Sequence, residues 1–561
     1  MTSHGSVQAT LRLLACAAVV AMLPAGAPVT AQPPRDRVLR PPAERVMIRG
    51  RVIAADTGGP LARAQVRVLP RPGTSEGTTM TDAAGRYELL VPPGRYTVQA
   101  SKPAYMSLSY GQRRAFEQGT FVEARAGGAL DDVSFTLPRG AVVTGTVFEP
   151  FGEPAVGVGV RVLRYEYADG GWRLAGTGRG FPTTTDDRGI FRVFGLPPGS
   201  YYVEASPSTF FSRRGSAARE YAPTFYPGTT SIEAAQLVDV DIGEEVTIDF
   251  PLTTVLTATV SGHVVDEYGR PVTNVPSVSL IREGPSGARG SRSSGRLEAD
   301  GCFVINAVAP GRYIAYATET GAPGRTRFAT AEVTVSGERT DGVWLALTSG
   351  ASARGRIHFD SQVTPDFTPD ALQPFTMPRG SGLQLPVGRG IGDVNDDWSF
   401  EIRGMSGPQL VRLAGLPEGW TLRTVALAGR DITDTPIVFS RRMPTTGLQV
   451  LLTDRLTTVT GSARDTAGRP TTDYTVVIFP EEVALRVFPS RFVRSARPNQ
   501  DGEFTLSGLP PSRYLAYAAQ ALPRGASTNL EFLAGLAPAA ERFSLRDGEA
   551  RNISLPLRPA P

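Results

Sequence analysis

Apolar and polar residues alternate with a period of two along most of the chain. Val133, Phe135 and Leu137 are set apart by polar neighbours, as are Val246, Ile248, Phe250 and Leu252. The same spacing returns at Val343, Leu345 and Leu347 and at Ile553, Leu555 and Leu557. Such alternation predicts half-buried strands with one face on a core. The strands are short and bounded by glycine and proline, and no amphipathic helical pattern interrupts them, which points to β-sandwiches.

Four signals recur in fixed order. A strand holding a glycine runs into a turn with an acidic residue, Gly and Pro: Gly50-Arg51-Val52 to Asp56, Gly59 and Pro60, with counterparts beginning at Gly145, Gly262 and Gly461. A hairpin follows at Asp82–Tyr87, Asp186–Phe191, Glu298–Phe303 and Asn499–Phe504, with a degenerate copy, Asn395–Phe400, carrying Trp398 in place of glycine. Side chains of Asp and Asn bond locally to the backbone and glycine supplies positive φ, so the motif specifies a turn. It lacks the alternating oxygen ligands of a calcium loop. About ten residues on come Pro92-Pro93-Gly94-Arg95-Tyr96, Pro197-Pro198-Gly199-Ser200-Tyr201, Ala309-Pro310-Gly311-Arg312-Tyr313 and Pro510-Pro511-Ser512-Arg513-Tyr514. The alternating strand described above closes each copy.

The hairpins at 85, 189, 301, 398 and 502 are spaced by 104, 112, 97 and 104 residues, a whole domain rather than a solenoid unit. The expectation is an all-β chain, a tandem array of about five β-sandwich domains: 46–138, 139–252, 253–348, a degenerate fourth at 349–455, and 456–561. The assembled motifs resemble the carboxypeptidase regulatory-like domain family. That resemblance implies a prealbumin-like (transthyretin-like) or carbohydrate-binding-like (starch-binding-like) sandwich and a tendency toward extracellular binding roles, and it implies no reaction.

The first residues change the picture of where the chain works. One charge, Arg12, precedes an apolar run from Leu13 to Leu23 and a small-residue exit at Val29-Thr30-Ala31, which predicts a signal peptide over 1–31 and a linker over 32–45. A rival reading takes Leu13-Leu14-Ala15-Cys16 as a lipoprotein box, but most of the apolar run lies after Cys16. No later segment is long and apolar enough for a membrane span. The expected location is therefore secreted, periplasmic or extracellular. Cleavage leaves Cys302 as a lone thiol, so the cores must supply stability without an internal disulfide.

Net charge is +4 with no long basic run, which is no nucleic-acid footprint. Beyond the leader the histidines are His263 and His358, too few for a three-ligand catalytic zinc, and His263 and Asp266 would sit on opposite faces of a strand. Gly73–Gly77 matches a nucleophile-elbow spelling but lies between hairpin strands. Lys102 is the single lysine and sits outside any phosphate-binding loop. The chain reads as a non-enzyme with no cofactor.

Two insertions after the Pro-Pro-Gly strands gather rings and paired arginines: Tyr105, Tyr110, Arg113, Arg114 and Phe116 in the first domain, and Phe210, Phe211, Arg213, Arg214, Tyr221, Phe225 and Tyr226 in the second. Rings with arginine forks grip sugars or planar anions. The same residues suit, rather better, a satellite core closing the sandwich end or packing against the next module. Two functions stay open: binding or adhesion to carbohydrate or a cell-surface polymer, and a structural or protein-interaction spacer of the cell envelope. The expected partner is a polysaccharide or a cell-surface protein. The front end of an outer-membrane transporter is disfavoured because no barrel-like strand series follows.

Overall fold

The strand that opens each repeat holds its glycine where another strand's backbone crosses. In the computed structural model a Cβ at Gly50, Gly145, Gly262, Gly355 or Gly461 would land on the carbonyl oxygen of Val133, Ile248, Val343, Leu448 or Ile553 respectively. The crossing strand is the last of the same module, and it runs parallel to the first, as in Val52↔Phe135, Val143↔Val246, Val264↔Leu345, Ile357↔Val450 and Ala463↔Leu555. Parallel first and last strands make the chain enter at one end of a sandwich and leave at the other.

The structure describes residues 45–559 except 70–76, 178–182, 207–218, 273, 284–288, 320–326, 338, 381–384, 386 and 500. The expected leader, Cys16 included, and most of the elbow-like Gly73–Gly77 lie outside them. The described residues are 54% strand and 5% helix, an all-β array. In the first module the strand Val46–Ala54 pairs with Arg86–Val91, Ala129–Leu130 and Phe135–Leu137 in one sheet. A second sheet of five strands centres on Gln65–Leu69 and Gly94–Ser101. Separate hydrophobic cores occupy residues 46–137, 141–252, 258–347, 351–452 and 459–555.

The recurring motifs have local causes. Asp82 Oδ1 accepts the backbone N–H groups of Ala84 and Arg86 at 2.9 and 2.7 Å, and Asp186 and Asn499 repeat the pattern in their own hairpins. These oxygens are spent on turn backbone. At the turn's fourth position Gly85, Gly189, Gly301 and Gly502 have φ of +73°, +73°, +79° and +80°. The tyrosine of each Pro-Pro-Gly motif is buried, and its hydroxyl donates back to the carbonyl four residues earlier: Tyr96 to Pro92, Tyr201 to Pro197, Tyr313 to Ala309 and Tyr514 to Pro510, at 2.6–2.8 Å. Burial raises the pKa of all four phenols, so the hydroxyls stay protonated donors.

Two features depart from the expected repeat. Trp398 adopts φ +65°, the glycine conformation, and its ring packs edge-on against Phe359 and Phe367, which also meet Trp420. That ring cluster packs on the fourth core. The fifth module, expected to lack helices, contains a short α-helix, Leu530–Leu536, capped by Asn529. Its Leu533 and Leu536 cover Val477, Phe479, Leu515 and Tyr517, which explains why Thr475–Pro480 is buried on both faces.

The modules also touch. Arg219–Tyr221 of the second pairs antiparallel with Thr254–Leu256 at the start of the third. Arg441 of the fourth meets Glu267 and Thr348 of the third, and Asp434 of the fourth accepts from Arg491 of the fifth at 2.6 and 3.1 Å. The fifth also returns to the first two: the backbone at Gly525 packs directly on Tyr167, and Gly170 packs on Phe488.

Candidate functional site

The insertion of the first module begins where Gly94–Ser101 ends. Tyr105 bridges to Arg139, whose guanidinium lies 5.4 Å from the Tyr105 ring, and Tyr110 packs edge-on to Phe135 at 6.2 Å. Both rings are half-buried against the first core. Glu117 Oε2 accepts the backbone N–H groups of Arg113 and Arg114 at 3.1 and 3.2 Å, which curls the segment into a turn and aims both arginines outward.

They reach the fifth module. Arg114 makes a two-pronged contact with the Asp473 carboxylate at 3.1 and 3.3 Å and donates to the Gln520 carbonyl, while Arg113 lies 3.9 Å from Asp473. Asp473 raises the pKa of Arg114. From the other side Arg497 inserts its guanidinium: Nη1 donates to the Gln118 carbonyl at 2.9 Å and lies 2.8 Å from Glu117 Oε1, and Nη2 is 3.5 Å from Asp473. The Arg497 and Glu117 side chains are 3% and 4% exposed. Neither Arg497 Nε nor Glu117 Oε1 is aligned for a hydrogen bond with any described group, so this is close charge pairing, incompletely satisfied.

Beyond this ion cluster the turn opens a cleft of about 590 Å³ between the first two modules. Phe116, held at φ +61°, presents its ring face to the Arg164 guanidinium at 3.5 Å. Arg164 and Tyr165 come from the strand Gly159–Ala168, and Tyr202 from Gly199–Ser206. Tyr165 and Tyr202 meet edge-on at 5.7 Å. Arg114, Ser200 and Leu237 complete the walls. Among the described residues Arg164 has no hydrogen bond and no ion pair, and its guanidinium lies over the Phe116 ring. Desolvation lowers its pKa, with Tyr201 and Glu166 opposing and Arg524 adding to the fall. A half-buried cation in a walled cleft, short of anionic partners, is chemically suited to receiving one.

In the second module Tyr221 donates to Glu149 at 3.0 Å and Tyr226 packs edge-on to Phe250 at 5.9 Å, both half-buried against the second core. Phe225, also half-buried, lies in a short strand paired with Gly199–Ser206. Phe210, Phe211, Arg213 and Arg214 lie outside the described residues. Of the rings and arginines singled out in the two insertions, Arg114 and Phe116 line the cleft. Arg164, Tyr165 and Tyr202 were missed, though period two offered a signal: Tyr202 follows the buried Tyr201 and so faces the other way.

Cys302 Sγ lies 3.3 Å from His263 Nδ1, and the His263 ring stacks on Trp344 at 5.1 Å. Asp300, hydrogen-bonded to the thiol, raises its pKa, which keeps it in the less reactive protonated form. No helix among the described residues is long and apolar enough to cross a membrane.

A search of curated proteins finds no match. Among solved structures the chain is similar to the Bacillus anthracis TIE protein, at 12% identity, covering 69% of this chain and 68% of that one, with a TM-score of 0.14. It is similar to a Streptococcal ancillary pilin at 14% identity, covering 54% and 99%, with a TM-score of 0.19. Likeness to the shaft pilin of Lactobacillus rhamnosus GG is 12% identity over 38% and 98%, with a TM-score of 0.18. At these values the likenesses carry no functional argument. Residues 47–137 match the family model of the carboxypeptidase regulatory-like domain, and the first module is accordingly a carboxypeptidase regulatory-like domain.

Proposed function

We propose that this chain is an exported, non-catalytic binding protein for a carbohydrate or cell-surface polymer. The observation that carries the reading is the ion cluster joining residues 114 and 117 to residues 473 and 497. It returns the last module to the first and fixes the Arg113–Phe116 turn as the wall of a cleft. A spacer needs reach, and a chain that folds its fifth module back onto the first two gives reach away. A rigid wall instead lowers the entropy lost when a ligand is held.

One observation favours the spacer: Tyr105, Tyr110, Tyr221 and Tyr226 pack on cores instead of standing free as a sugar platform. A binding screen of the full chain against neutral and acidic polysaccharides decides between the two. Saturable binding to at least one polymer is expected. Binding to none, at ligand concentrations up to about 1 mM, rejects the binding function in favour of the spacer.

A further inference from the structure

The cleft between the first two modules has a sharper chemistry than its size alone. Arginine guanidinium groups in this protein are heavily paired: Arg114 with Asp473, Arg173 with Glu166, Arg327 with Glu319, Arg491 with Asp434. Arg164 is an exception. Its guanidinium carbon lies over the Phe116 ring, 3.5 Å from the centroid, a contact that does not use its N–H donors. Glu166, the nearest acidic residue along its strand, is engaged by Arg173 at 2.7 Å. Asp239 is taken by the hydroxyl of the wall residue Ser200. The cation Arg114 also lines the cleft, and Arg524 is close enough to act electrostatically on Arg164.

We propose that this cleft is a subsite for a carboxylated sugar unit of an acidic polysaccharide, with Arg164 gripping the carboxylate and Tyr165 and Tyr202 forming the wall against which the sugar ring packs. The inference rests on the binding function proposed above and names its ligand class. A planar fork fixed on a ring matches the two oxygens of a carboxylate, and a lysine in its place would not. Adjacent aromatic edges and faces suit the apolar face of a pyranose. A volume of 590 Å³ lies within the roughly 300–1,000 Å³ of small-ligand sites, room for a short oligosaccharide segment rather than a protein domain.

The test is calorimetric titration of the full chain with a galacturonate tetrasaccharide, with the same oligomer after reduction of its carboxyl groups, and with inorganic phosphate. The acid oligomer is expected to bind at least about tenfold tighter than the reduced one, and Arg164→Ala to erase the difference while Arg164→Lys restores only part of it. Arg164→Ala should melt within about 2 °C of the parent, since no hydrogen bond or ion pair is lost, and Arg164→Gln gives the same reading if the alanine variant is poorly folded. Equal affinity for acid and reduced oligomers, or an acid oligomer indifferent to Arg164→Ala, overturns the inference but leaves the binding function standing. Phosphate binding as tightly as the oligomer overturns the sugar assignment and leaves a small-anion site. Failure of every polysaccharide in the broader screen removes both proposals.

Discussion

Replacing Arg497 with methionine keeps most of the side-chain volume and removes its charge from a site where only 3% of it meets solvent. The substitution deletes a 2.9 Å hydrogen bond to the Gln118 carbonyl and the 2.8 Å approach to Glu117 Oε1, and leaves Glu117 and Asp473 as two carboxylates sharing Arg114 and Arg113. Breaking a buried pair from one side costs about 3–5 kcal/mol, because the survivor is a desolvated charge. Here the survivors are partly compensated: Glu117 retains two backbone donors and Asp473 retains Arg114. The expected loss is therefore near the low end, about 3 kcal/mol, or more than 100-fold in the equilibrium that seats the fifth module on the first. The assay is a double-mutant cycle of Arg497→Met and Glu117→Gln in urea, following the first transition because a chain of several cores need not unfold in one step. The double variant should lose at least about 1 kcal/mol less than the two single losses added together, since Glu117→Gln removes the stranded charge. Limited proteolysis within residues 102–121 should accelerate in Arg497→Met. A coupling below about 0.5 kcal/mol, with an unchanged proteolysis rate, would refute the clamp.

The buried Tyr201 hydroxyl donates to the Pro197 carbonyl at 2.6 Å, so Tyr201→Phe leaves that acceptor unsatisfied and should cost about 1–3 kcal/mol in urea denaturation of the second module; a loss under about 0.3 kcal/mol would contradict the assigned role. Two hydrogen bonds from Arg327, at 2.6 and 2.7 Å, hold the Glu319 carboxyl at about 2, below its ordinary value of 4.5. A depressed folded-state value gives stability that is present above pH 4.5 and fades as pH falls toward 2. The melting difference between parent and Arg327→Ala should accordingly be full at pH 7 and shrink through that window, and a difference that grows on acidification would show the sign to be wrong.

The motifs legible in the sequence are those whose cause is local. A glycine needed at φ near +75°, an Asx oxygen feeding its own turn and a tyrosine bonding four residues back each lie within one short segment, so their spelling survives repetition. The opening glycine is a partial exception. Gly50 answers to Val133, 83 residues away, yet it was readable because each module repeats the same crossing in its own strands. Trp398 shows the opposite: the turn keeps its shape without glycine, and the reason is a ring cluster with Phe359, Phe367 and Trp420 that no single window contains.

The arginines of the first insertion were legible as a feature and not as a contact. Their place in an insertion marks Arg113 and Arg114 as candidate contacts, but what they meet is Asp473, some 360 positions on, at a module boundary that no local pattern encodes. Arg164 was hidden for a related reason. Its strand alternates as any half-buried strand does, and its isolation from counter-charges follows only from Phe116 arriving out of another module to occupy the guanidinium face. An unpaired arginine on one module alone would be an ordinary solvated side chain. Phe116 and the neighbouring wall make it a confined cation, so the ion cluster that seats the fifth module also sets the chemistry of the cleft. A variant that loosens the cluster should weaken binding at Arg164 without altering any residue that touches the ligand.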